Sequence, residues 1–154
     1  MRGDSMTTTG SAQKPAEDQE ELRDRWVTRL SDLVAAIRGW AQDLGWSTRL
    51  IEKKMEDSQI GTYVAPALVL QEGTTRVLLE PIARSAPGTE GVVDLYLMPA
   101  WEDIASLYFY DGGWQLHYTA RGSSTAGTVR EAGHKPLTKE TFQEVIAEMI
   151  KDAV

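Results

Sequence analysis

Glu80, Asp94, Tyr96, Ser106 and His117 are the residues whose types could carry out chemistry. Two carboxylates on neighbouring strands can serve as general acid and base, with a phenol or an imidazole to pass the proton. Ser106 and His117 imitate a nucleophile and its base across a hairpin, but no third orienting group or oxyanion-hole segment accompanies them. His134 stands in a loop-like segment without another close His, and the chain has no cysteine, so neither zinc nor another tightly held transition metal is expected. Glu52-Lys53-Lys54 contains the Glu-x-Lys step of some nuclease metal sites, a match short enough to arise by chance. The run from Gly122 to Thr128 lacks the lysine and the strand-to-helix setting of a phosphate loop. Arg2-Gly3-Asp4-Ser5 spells a cell-adhesion tetrapeptide that nothing else in the chain supports. No cofactor is implied.

The elements that must position these residues can be read from composition and periodicity. A chain of 154 residues, 42% apolar and 25% charged, fits one globular domain. Its net charge of −7 argues against a phosphate backbone as partner, because nonspecific nucleic-acid binding rests on clustered Lys and Arg. The sequence contains no run of eighteen apolar residues and no leader-like apolar stretch, so a cytoplasmic protein without a membrane partner is expected. Residues 1–19 are poor in apolar side chains and read as a disordered tail, followed by a single α+β domain over 20–154.

From Glu20 onward, Leu22, Trp26, Leu30, Leu33, Ile37, Trp40 or Ala41, and Leu44 recur at helical spacing, and Gly45 supplies the stop. This stripe covers one face only, so the helix needs a sheet. Strand-like segments follow at about 47–56, 60–70, 75–84, 91–98, 104–110 and 113–120, with glycine corners at Gly73 and at Asp111-Gly112-Gly113. Pro66 and Pro81 cannot donate to a ladder and mark a place where one strand is interrupted. Residues 121–135 read as a loop. A last helix starts after Thr138 as N-cap, with Leu137 and Phe142 as a hydrophobic staple. The expected fold is an antiparallel meander of five to six strands packed on two helices in a two-layer sandwich.

With Gly112-Gly113 as the two-residue turn, Tyr110 faces Gln115, Tyr108 faces His117 and Ser106 faces Thr119. Carried back, the same meander sets Tyr96 near Ser106, Asp94 near Tyr108 and Glu80 beside Tyr96. Leu95, Leu107, Phe109, Trp114 and Leu116 then line a core face. The opposite face holds Glu80, Asp94, Tyr96, Ser106, Tyr108, Tyr110, Gln115, His117 and Thr119, and turns apolar again at Leu78, Ile82 and Met98 with Ala67 and Val69. Trp101, in the connection before the fifth strand, is either a lid on the core or a binding anchor.

A tyrosine-rich sheet face suits an interaction surface, so the expected function is that of a binding or adaptor module for another protein or for a second copy as a homodimer. The alternative is a small hydrolase-like or ligand-binding enzyme centred on Glu80, Asp94, Tyr96 and His117. The layout, helix then antiparallel strands then helix in an acidic chain, is similar to that of secretion-chaperone-type proteins. It lacks the helix those carry among their strands, so the resemblance implies only a chaperone-like layout.

Overall fold

The computed structural model describes the backbone of residues 4–118 and 134–153, with side chains over 18–101, 105–118 and 134–148. Helix α1 runs over Asp4–Asp43. Its backbone is already helical where composition reads as a disordered tail, while the stripe that packs begins only at Leu22. Trp26, Leu30, Leu33, Val34, Ile37 and Ala41 are all buried, so the apolar periodicity marks the packed face. Gly45 ends the helix at φ 89°, and Trp46 turns back into the core through a hydrogen bond from its N–H to the Ala41 carbonyl.

Seven antiparallel strands follow: β1 (Ser47–Asp57), β2 (Gly61–Glu72), β3 (Thr75–Ala83), β4 (Val92–Met98), β5 (Glu102–Tyr110), β6 (Gly113–Tyr118) and β7 (His134–Pro136). Spatial order equals chain order throughout. The sequence shows six of the strands. β7 lies at the end of the segment read as loop, and only its pairing with β6 defines it. Helix α2 (Lys139–Ala153) closes the chain. Thr138 caps it by accepting from the Thr141 N–H at 3.1 Å, while the Thr138 N–H donates to the Thr141 hydroxyl at 2.8 Å. Phe142, Val145 and Ile146 join Trp26, Leu30, Leu79, Leu95, Leu107 and Leu116 in one buried cluster, so both helices cover the same face of the sheet.

The prolines act as their chemistry requires. β2 pairs with β1 along its length but with β3 only from Leu68 to Glu72, so the ladder between β2 and β3 stops two residues after Pro66 and two before Pro81. Beyond Pro81 the β3–β4 register also shifts. The parity of buried residues changes at the same place, from Tyr63 and Ala65 to Leu68 and Leu70.

Three registers differ from the expected ones by two residues, that of β4 and β5 only up to Leu95, where a bulge then sets Tyr96 opposite Asp103. The β5–β6 corner uses Asp111 and Gly112, at φ 54° and 79°, rather than Gly112 and Gly113. Tyr110 therefore faces Gly113, Tyr108 faces Gln115 and Ser106 faces His117. Asp at the first position of such a corner tolerates the left-handed conformation, which makes Asp-Gly a natural mirror-image turn. Asp94 faces Ser106 instead of Tyr108, and Glu80 faces Asp94 while Leu78 takes Tyr96. Because side chains alternate with period two, an even shift keeps every residue on its expected face.

A tight contact locks the β3–β4 connection to the core. Gly91 lies flat against Trp26, where a Cβ would come within 2.6 Å of the indole ring. The Trp26 indole N–H donates to the Tyr63 hydroxyl at 2.8 Å. The buried Thr89 hydroxyl lies 2.8 Å from the Gly91 carbonyl and 3.1 Å from that of Phe109, and the Glu90 N–H donates to the same Phe109 carbonyl at 2.7 Å.

Candidate binding face

The face away from both helices is built from the alternate residues of β3 to β6. Its centre is a small carboxylate network. Glu80 and Asp94 are direct cross-strand partners, as are Asp94 and Ser106. Asp94 accepts from the Ser106 hydroxyl at 2.7 Å and from the Tyr96 hydroxyl at 3.1 Å. Glu80 is instead held by Lys53 at 3.2 Å, and the same ammonium donates to the Pro81 carbonyl at 3.0 Å. That carbonyl lies beyond the paired part of the β2–β3 ladder, so a lysine from β1 occupies the place of a missing strand partner. The Glu-x-Lys step thus contributes its middle lysine to an ion pair.

A second cluster lies one turn of the meander away. His117 and His134, the only two histidines of the chain, are cross-strand partners on β6 and β7, with rings stacked at 5.2 Å and 19° apart. This corrects the expectation that His134 has no close His. The Tyr110 hydroxyl is 3.2 Å from His117 Nε2, and Tyr108 meets the same ring edge-on at 4.8 Å. Burial, reinforced by neighbouring His134, lowers the His117 pKa below its ordinary 6.5. A metal lies in the plane of each imidazole that binds it, and two nearly parallel planes share no such point close by. Among the described residues no three His, Asp or Glu side chains gather where they could hold a metal ion.

The expected site residues therefore divide. Tyr110 and His117 belong to the face but are buried, at 4% and 9% exposure, so they support it rather than present it. Tyr96, Tyr108, Gln115, Glu80 and Asp94 are partly exposed. Trp101 stands out at 53% exposure, in the left-handed conformation at φ 58° and edge-on to Tyr96 at 5.6 Å. It is no lid on the core. Ile82 adds an exposed apolar patch, whereas Leu78 and Ala67 are buried. Thr119 and the glycine-rich run 122–128 lie outside the described residues.

The single proton of the Ser106 hydroxyl is given to Asp94, so Ser106 and His117 form no nucleophile–base pair although they are register partners. Three described concavities, of about 310, 300 and 520 Å³, lie against α2 and β6, between α1 and the β1–β2 edge, and between α1 and the β5–β6 corner; none is lined by Glu80, Asp94, Tyr96 or His117. Sequence reasoning missed His134, Lys53 and Arg29. The Arg29 guanidinium, from α1, lies 3.8 Å over the Phe109 ring. None of the three carries a local motif, because their roles arise from strand pairing and helix placement.

No helix among the described residues is long and apolar enough to cross a membrane. Comparison of the chain with family models, curated proteins and solved structures returns no match.

Proposed function

We propose that the protein is a non-enzymatic binding or adaptor module that holds another protein against the open face of its sheet. Tyr96, Tyr108 and Trp101 are the anchors, Glu80, Asp94 and Gln115 form the polar surround, and Tyr110 and His117 stiffen the floor beneath Tyr108. One observation carries the reading: both helices pack on one face, while the other presents partly exposed tyrosines and a tryptophan exposed at 53%. Tyr and Trp supply large contact areas at small entropic cost and dominate binding energy where they are anchored. The net charge of −7 and the Asp94 carboxylate favour a partner segment in which basic side chains flank an apolar one. The cysteine-free chain suits a reducing, cytoplasmic setting. The hydrolase-like alternative has less support, since Ser106, Glu80 and His117 each have a structural partner already.

Crosslinking of the protein in its native cells, followed by comparison of captured partners, tests the proposal. The double variant Tyr108→Ala, Trp101→Ala should lose the partner while its circular dichroism stays that of the wild type, and Glu80→Gln should retain it. Equal capture by the double variant would remove the open face from consideration.

A further inference from the structure

β1 is the edge of the sheet, and along Ser47–Asp57 its outer side meets no strand among the described residues. The other edge, β7, is three residues long. An edge of eleven residues is a template for pairing with another chain, and natural proteins commonly guard such edges with charge. The charges here are Arg49, Glu52, Lys53, Lys54, Glu56 and Asp57. Lys53 is tied back to Glu80 and the Pro81 carbonyl, and Asp57 to Arg84 at 3.0 Å. Arg49, Glu52, Lys54 and Glu56 are exposed and form no ion pair with any described residue, and Leu50 beside them is 49% exposed.

We propose that β1 pairs antiparallel with β1 of a second copy about a two-fold axis at Lys53, making one continuous sheet across a homodimer. The register follows from the sequence. A two-fold through Lys53 sets Glu52 opposite Lys54 and Lys54 opposite Glu52, Ile51 opposite Met55, and Arg49 opposite Asp57. Moving the axis to Glu52 brings Lys54 onto Leu50, and moving it to Lys54 brings Glu52 onto Glu56. An axis at Met55 would also set opposite charges together, Lys54 on Glu56, but it pairs only residues 53–57 of the strand, whereas the axis at Lys53 pairs residues 49–57. The two Lys53 side chains meet at the axis, where each is already neutralised by Glu80 of its own chain. The two-fold stands perpendicular to the sheet, so both open faces point the same way.

This inference is independent of the proposed docking face, because its readout is the oligomeric state and none of the face aromatics takes part. Sedimentation velocity over a concentration series is the measurement. Wild type should sediment as a dimer that dissociates on dilution. Glu52→Lys alone and Lys54→Glu alone each set like charges opposite one another twice, and should weaken association about tenfold or more. Mixed together, these two variants should form a heterodimer, and the double variant E52K/K54E should recover wild-type association. A wild type that stays monomeric at high concentration would overturn the proposal and leave the edge to a strand of another protein. Single reversals that dimerise as well as wild type, or a mixture that does not associate, would overturn it too.

Discussion

On the covered face of the sheet, Leu79, Leu95 and Leu107 are wholly buried and interlock with Trp26, Leu30 and Phe142, whereas on the other face of the same strands Glu80, Asp94, Ser106 and Tyr108 meet no helix. The first face is held by close packing, in which each side chain depends on the volume of its neighbours. The second is held by short polar contacts among its own members, with Asp94 between two hydroxyls and His117 between two tyrosines and a histidine. Under the proposed function, stability and recognition fall on opposite sides of β3 to β6, so that a change on the open side is expected to alter binding without unfolding the domain.

Substitutions can break that division. The largest effect is expected from Trp26→Ala, which empties a fully buried site and strands the Tyr63 hydroxyl; a loss of about 3–5 kcal/mol should appear in urea titration. Gly91→Ala comes next, because the new methyl group would overlap the Trp26 ring, and about 1–3 kcal/mol should be lost although only one carbon is added. On the open face the sign changes. Trp101→Gly relieves a left-handed backbone that costs a bulky residue about 1 kcal/mol, so the thermal midpoint should equal or exceed that of wild type while partner capture falls. A lowered midpoint would place Trp101 among the packing residues and erase the contrast.

The smallest effect is a dependence on pH. The His117 pKa is lowered in the folded state, so the unfolded chain takes up a proton first as pH falls. Stability should therefore decline as pH drops through about 6.5 and level off below the folded value; His117→Gln should flatten this slope in urea midpoints measured from pH 7.5 to 5. Asp57 acts in a lower window. Burial alone would raise its carboxyl, but hydrogen bonds from the Gln59 N–H, the Arg84 guanidinium and the Ile60 N–H outweigh that and hold it below 3.8. Its contribution is present above that value and is lost as pH falls further, so the two slopes are separable.

Much of the division was legible in the sequence, for a physical reason. The α1 stripe and the alternation in β4 to β6 state which side of its element each residue takes, a property that survives any even shift in register, but not its burial, since Tyr110 and His117 are buried on the open side. The partner of each residue was not legible, because the choice of Asp111 over Gly113 as a turn residue moves every pairing by two without changing the apolar pattern. The prolines at 66 and 81 did signal where the β2–β3 ladder ends. β7 gave no signal, since three exposed residues ending in proline acquire strand character only by lying beside Gln115–His117. The His117–His134 stack was hidden for the same reason, as was the reach of Lys53 to Glu80.

One feature of the topology bears on how the molecule assembles. Each strand up to β6 finds its partner a short hairpin away, so those steps close small loops. The helical layer is different: Lys139 reaches Asp43 across 96 positions, and Phe142 meets Trp40 beside them. Docking of this layer, in which Trp26 also meets Gly91 and Arg29 meets Phe109, carries most of the entropic cost of long-range closure, and the last helix joins it across the longest span. Pulse-labelled hydrogen exchange should accordingly find the amides of β2 to β5 protected before those of the carboxy-terminal helix, which acts as the clasp of the fold.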